Sequence, residues 1–253
     1  MTRMDLSGRV AVIIGASGGI GSATARAFAD AGATVVATWR GDQAGAETLV
    51  ESLAGGPARG HLALPATIEE TATLVALAAT VEQRCGRADV LVNSSGFTRA
   101  IPHGDLDALD DALIDRIFAV NWRGQFAAIR AFRPLLAAGG DGLVVNVSSI
   151  AGLNGAGSNI AYGAVKAGID VMTKSLARAL APAIRVMAVS PGIVDTGFVP
   201  GRDAAANAKI APSIPLRRVA TAEDVAGAIL ACATLLPYST GSTVLVDGGR
   251  ALA

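Results

Sequence analysis

The stretch "YGAVK" sets Tyr162 and Lys166 four residues apart, a spacing that projects both side chains from one face of a helix. In a chain with two tyrosines and three lysines, chance places a lysine at that distance only about 2% of the time. The chemistry such a pair offers is proton transfer. A phenol titrating near ~10 is a poor base at neutral pH, but an ammonium ~5 Å away at an effective dielectric of ~20 stabilises the phenolate by roughly 3 kcal/mol, or two pKa units. Tyr162 is therefore expected to give a proton to a carbonyl oxygen, or to take one from an alcohol. Two hydroxyls, Ser148 and Ser149, close the run "VVNVSS", and either is suited to holding a substrate oxygen against the phenol.

A second constellation is made of backbone. "IGASGGIG", residues 14–21, follows the apolar run "VAVII" directly. Glycines at 15 and 19 permit a tight turn and close approach of a pyrophosphate, which the unpaired N–H groups of a helix start attract, while Gly21 lets that helix lie close to the strand. Contacts to a dinucleotide are expected from Gly15, Ser17, Gly18, Gly19, Ile20 and Gly21. The next strand ends "ATWRGD". Trp39 stands where NAD enzymes place an acid for the ribose hydroxyls, and Arg40 offers a charged fork for a 2′-phosphate. NADP(H) is favoured; NAD(H) is the alternative, with Asp42 close by.

These groups need a scaffold that brings distant loops together. Short β-branched runs at Val10–Ile14, Thr34–Thr38, His61–Leu64, Ala88–Val92, Gly142–Val147, Ile184–Val189 and Thr243–Val246 read as strands covered on both faces. Helical periods alternate with them at Gly19–Ala31, Asp42–Leu53, Ile68–Arg84, Leu109–Ala137, Ser158–Ala181 and Ala222–Leu235. Strict alternation implies right-handed crossovers. The expected fold is α/β: one domain spanning 1–253, a Rossmann-type doubly wound, mostly parallel seven-stranded sheet with helices on both faces and the ligand at the carboxyl ends of the strands. Residues 193–218, with three prolines and no clear strand, are long for a connection and read as a lid over the site.

Composition removes other classes. Charges cancel at 21 against 21, so the chain lacks the basic excess that nucleic acid or an anionic membrane surface would select. No 18 apolar residues run together, so no membrane span is expected. Cys85 and Cys232, the only cysteines, lie in helical segments and fit a reducing, cytoplasmic setting. His61 and His103 have no partners at ligand spacing, so no metal site is expected, and no G-x-S-x-G elbow supports a serine hydrolase.

Taken in order, these motifs resemble the short-chain dehydrogenase/reductase family over nearly the whole chain, from the Gly15–Gly21 turn to "VLVDGG" at 244–249. "NSSG" at 93–96 looks like the family's Asn-Asn-Ala-Gly, bringing in Asn93, Ser95 and Gly96. "SPGIVDT" at 190–196 looks like the segment that contacts the nicotinamide, bringing in Pro191, Gly192, Ile193 and Thr196. The resemblance implies a catalytic tetrad of Asn121, Ser149, Tyr162 and Lys166, with Tyr162 and Lys166 also touching the cofactor. The family's thirteen-residue spacing to the tyrosine selects Ser149 over Ser148, and Asn121 is expected to pass protons through a water held with Lys166. The sequence departs from the family's pattern at Ile14, Ala66 and Ser94, each at the cost of a hydrogen bond worth ~1 kcal/mol in cofactor affinity.

The expected activity is hydride transfer between nicotinamide and a small carbonyl or secondary alcohol. A carrier-linked 3-oxoacyl group is the alternative. The turns 136–142 and 179–184 carry no Lys or Arg to meet an acidic carrier, whereas Arg202, Lys209, Arg217 and Arg218 on the lid keep that alternative open. An idle dinucleotide-binding sensor or assembly subunit is the reading from another class. Pocket walls are expected from Phe97, Leu153, Asn154 and Phe198. A homodimer or homotetramer is expected through helices 109–137 and 158–181, with Ala161, Ala164 and Val165 as a close-contact face, although core packing explains these residues equally well.

Overall fold

The computed structural model describes residues 5–199 and 201–252. Seven parallel strands form one sheet in the order β3-β2-β1-β4-β5-β6-β7: β1 Val10–Ile14, β2 Thr34–Trp39, β3 Leu62–Pro65, β4 Val90–Asn93, β5 Gly142–Val147, β6 Ile184–Pro191 and β7 Thr243–Val246. The order reverses between β1 and β4, so the loops leaving those two strands part in opposite directions and open a crevice at their carboxyl ends.

Alternation within each strand feeds two cores. Ala11 and Ile13 face a layer built with α1 (Gly19–Asp30), α2 (Gln43–Ser52) and α9 (Ala222–Thr234), where Phe28 and Ile229 are fully buried. Val10, Val12 and Ile14 face the opposite layer, built with α3 (Thr71–Cys85), α5 (Gly124–Ala138) and α7 (Ile160–Leu180), where Leu74, Phe132 and Ile169 are fully buried. A strand buried on both faces can be continuously apolar, which is why these runs do not alternate with polar residues.

The helix read across 109–137 is present and unbroken, as α4 (Asp111–Phe118), a single π-helical turn at Ala119–Arg123 and α5. The segment 193–218 is not a bare loop: it carries α8 (Ala204–Ile210), started by the Asp203 side chain accepting from the Ala206 N–H, and a 3-10 turn at Ala211–Ser213; its Pro200 lies outside the described residues. Ala161 and Val165 face inward against Leu113 and Ile117, so core packing rather than a subunit contact accounts for their size.

Elsewhere His61 and the cysteines are structural. His61 is buried, its Nδ1 accepting from the Val35 N–H while Nε2 meets the Ala54 carbonyl. Both cysteines are free thiols, and burial pushes their pKa values up. Among the described residues no cluster of His, Cys, Asp or Glu is placed to hold a metal, and no helix is long and apolar enough to cross a membrane.

Candidate active site

A cavity of about 580 Å³ opens at the carboxyl ends of β1, β4, β5 and β6. The side chains expected to be catalytic are set by three local devices. Asn159 caps α7: its buried Oδ1 accepts from the Tyr162 N–H at 2.7 Å, and its Nδ2 donates to the Arg99 carbonyl at 2.8 Å, so the helix start is tied to the loop after β4. Tyr162 then sits in the first turn and Lys166 one turn on. Lys166 Nζ lies 5.4 Å from the Tyr162 ring centroid and donates to the Val147 carbonyl at the end of β5, at 2.8 Å. A short helix, α6 (Ala151–Asn154), follows β5 and packs on α7 through Gly152, where a Cβ would meet the Ala167 backbone N at 2.5 Å.

The two serines divide their work. Ser148 is buried and donates to the Lys166 carbonyl at 3.1 Å, so it holds β5 to α7. Ser149 stands on the cavity wall with Tyr162, close enough for its hydroxyl to lower the phenol's pKa, and its Oγ accepts from the Ala151 N–H at 3.2 Å.

The phenol departs from expectation. Burial pushes the Tyr162 pKa above its ordinary value, while the Ser149 hydroxyl and the charge of Arg202 pull it down by less. Lys166 is itself pulled down to about 8 by burial, against the opposing charge of Asp170. The expected lowering counted the ammonium and not the loss of water, and in this enclosed site desolvation wins. At neutral pH the phenol is held as a proton donor.

Asn121 lies in the π-helical turn with no exposed surface. Its Nδ2 donates to the carbonyls of Phe97 and Ile117, both at 2.8 Å, and its Oδ1 accepts from the Phe97 N–H at 3.3 Å. The side chain therefore fixes the loop after β4 and sits behind the cavity wall. A Cβ on Gly96 would meet Asn121 Oδ1 and the Phe198 ring, each at 3.1 Å, so this loop is threaded between the π-helical turn and the segment after β6.

The glycine turn fits a dinucleotide. Gly15 has φ +88°, and a Cβ there would meet the Ser95 backbone N at 2.7 Å; one on Gly19 would meet Thr196 Cγ2 at 2.7 Å; one on Gly21 would run into the Gly15 carbonyl. Backbone without side chains thus brings together the loops after β1, β4 and β6. Gly18 begins α1 with no side-chain cap, leaving N–H groups for an anion. At the far end, Arg40 is 58% exposed and donates to Glu69 at 2.8 Å, with Arg116 Nε 3.6 Å from the other Glu69 oxygen. The indole N–H of Trp39 is buried without a partner among the described residues.

The structure brings Ile20, Ser95, Gly96, Ser149, Asn154, Tyr162, Lys166, Pro191, Gly192, Ile193, Thr196 and Phe198 to the cavity wall. Ser17, Gly18 and Gly19 are exposed beside it. Asn93 is buried beneath, donating to Asn146 Oδ1 at 2.9 Å. Two expected walls lie elsewhere. Phe97 packs into the core with the Arg116 guanidinium 4.1 Å above its ring, because the alternating loop turns it away from the crevice. Leu153 is 62% exposed on the outer side of α6. Sequence reasoning missed Asn159, legible as a helix cap before an apolar run, and the cavity positions of His103, Arg202 and Arg250, for which no sequence signal exists.

The chain matches the family model described as enoyl-(acyl carrier protein) reductase over residues 15–251. It is 37% identical to cis-4-hydroxycyclohexanecarboxylate dehydrogenase of Sinomonas cyclohexanicum, covering 95% of this chain and 96% of that protein. It is 35% identical to the 3-oxoacyl-[acyl-carrier-protein] reductase of Thermotoga maritima, covering 97% and 99%. Among solved structures, a short-chain dehydrogenase/reductase described as a glucose/ribitol dehydrogenase, from Brucella melitensis, superposes with a TM-score of 0.90 at 31% identity over 99% of both chains.

Proposed function

The chain belongs to the short-chain dehydrogenase/reductase family, and from that premise we propose that it is an NADP(H)-dependent enzyme acting on a small free carbonyl or secondary alcohol, with Tyr162 as general acid and base. Membership makes it an NAD(P)-dependent oxidoreductase, which sets aside the idle binding protein. The observation that carries the finer reading is the cluster at the end of β5: Ser149, the Tyr162 phenol and Lys166 on one cavity wall, with the ammonium 5.4 Å from the phenol ring.

When bound, the reduced nicotinamide supplies the hydride. Ser149 holds the carbonyl oxygen and stabilises the charge that grows on it. The Tyr162 phenol gives its proton to that oxygen, completing the alcohol, and the Lys166 ammonium stabilises the phenolate left behind. Reversal takes the alcohol proton onto the phenolate. Asn121 keeps the Phe97 backbone in place, as a positioning residue. The glycine turn and the uncapped start of α1 would hold the pyrophosphate, and Arg40 supports a 2′-phosphate.

Two observations favour second readings. The Glu69 carboxylate bonded to Arg40 puts an acid near the end of β2, as NAD(H) use would require. The printed name of the Thermotoga relative favours a carrier-linked 3-oxoacyl substrate. We further infer a homo-oligomer working in a reducing cytoplasm.

The test is a screen of NADPH and NADH oxidation over ketones, diketones, acyl thioesters and sugars. NADPH is expected to be preferred, with Arg40→Ala weakening NADPH selectively; a preference for NADH beyond about tenfold overturns the use of Arg40. Tyr162→Phe is expected to bind cofactor and lose turnover, and unchanged NADPH consumption in that variant sinks the mechanism.

A further inference from the structure

The side chains lining the cavity that can carry positive charge are Lys166, Arg202, Arg250 and His103, and no aspartate or glutamate lines it among the described residues. All four hydrogen-bond within the protein. Lys166 donates to the Val147 carbonyl, Arg250 to Ser213 Oγ at 3.0 Å, and His103 Nε2 meets the Gly157 carbonyl at 3.1 Å. Arg202 is different. One nitrogen, Nη2, donates to the Val194 carbonyl and pins the segment after β6, while Nε is buried with no partner among the described residues. No described carboxylate stands within ion-pair distance of it. The acid whose charge acts on it, Asp195, is exposed and already accepts from Asn207 Nδ2 at 2.7 Å.

A half-buried guanidinium without a carboxylate is costly unless a ligand provides one, and its planar fork matches that group in two-point fashion. Arg202 also acts on the reaction centre, for its charge reaches the Tyr162 phenol. The Phe198 ring lines the same cavity, 6.0 Å from the Tyr162 ring and tilted 47°, an apolar surface for the hydrocarbon body of a ligand. We propose that the substrate is a free oxo- or hydroxycarboxylate whose carboxylate pairs with Arg202 while its carbonyl or hydroxyl sits between Ser149 and Tyr162. The proposal rests on the carbonyl chemistry of the preceding subsection and names its substrate class. Hydride and proton add across the C=O bond; the carboxylate keeps its charge throughout and serves only to place the reacting carbon.

The experiment compares each of three oxo acids, 3-oxobutanoate, 4-oxopentanoate and 4-oxocyclohexanecarboxylate, with its own methyl ester and its acyl-carrier thioester, in wild type, Arg202→Gln and Arg202→Lys. At least one acid is expected to exceed its ester in kcat/KM by about tenfold or more, mainly through KM. That ratio is expected to fall to within about threefold in Arg202→Gln and to recover in part in Arg202→Lys. The acid-to-ester ratio is internal to each protein, so a partly unfolded variant does not mimic the result. Esters matching acids in wild type, or an unchanged ratio in Arg202→Gln, overturns the carboxylate anchor and leaves the oxidoreductase reading standing. Thioesters preferred to acids by about tenfold overturn it in favour of a carrier-linked substrate. No oxidation of either NADPH or NADH with any of these compounds overturns the anchor and the carbonyl reading together.

Discussion

The chemistry of single residues turns on which environment dominates each ionisable group. Lys166 keeps its charge below about 8 and loses it above, because burial disfavours the ammonium. The unfolded chain holds the same proton to the ordinary lysine range, so between pH 8 and roughly 10 the unfolded state binds more protons and this group alone makes stability rise with pH. Activity moves the other way. Carbonyl reduction needs a neutral Tyr162 and a charged Lys166, so kcat/KM for reduction is expected to be flat from about pH 6 to 7.5 and to fall as Lys166 discharges near 8. Alcohol oxidation, which needs the phenolate of a phenol held above its ordinary value, is expected to climb through the same range. Rate profiles in both directions check this, and a reductive rate still rising at pH 9 contradicts it. The sequence placed Tyr162 and Lys166 correctly on one helix face and mistook the direction of the phenol's shift, since spacing reports neighbours and cannot report how much water the surrounding elements exclude. Arg202 shows the same limit: in sequence it is a lid cation, and only its bond to the Val194 carbonyl turns it to the cavity.

At the scale of elements, strands were legible because a doubly covered sheet demands β-branched runs, and five of the seven begin at the residue the sequence predicts. The helix read across 109–137 holds, and its one irregular turn lies where a side chain competes with the backbone ladder. Asn121 Nδ2 donates to the Ile117 carbonyl four residues back, within the turn that widens to π geometry. The same amide bonds both polar groups of the Phe97 backbone, so the irregular turn and the loop after β4 are one device. Asn121→Leu is expected to lower unfolding stability by about 1–3 kcal/mol, because it leaves buried backbone groups unpaired, and to reduce kcat by displacing the wall beside Gly96. Denaturant midpoints with an unaltered slope measure the first effect, and steady-state kinetics the second. A variant as stable and as active as wild type removes Asn121 from the positioning role.

For the whole molecule, one layer of helices leaves apolar surface that the fold does not use. Phe118 at the end of α4 is 40% exposed, and on α7 Ile160 is 45% and Val171 61% exposed, while α4 and α7 pack on each other. An isolated exposed apolar residue needs no explanation, but several on two adjoining helices form a surface that a second copy can cover isologously. The sequence offered Ala161, Ala164 and Val165 either as a close-contact face or as core packing, and Ala161 and Val165 serve the core. α7 also carries Tyr162 in its first turn, so a subunit packed on its outer face would stiffen the element that holds the proposed general acid. The chain is therefore expected to run in light scattering as a dimer or tetramer at micromolar concentration. Val171→Glu, which places a charge on that face and away from the cavity, is expected to shift the mass toward one chain and to lower the melting temperature in a concentration-dependent way. A wild-type mass equal to one chain across the range defeats this assembly, and an unchanged oligomer in Val171→Glu moves the interface to another face.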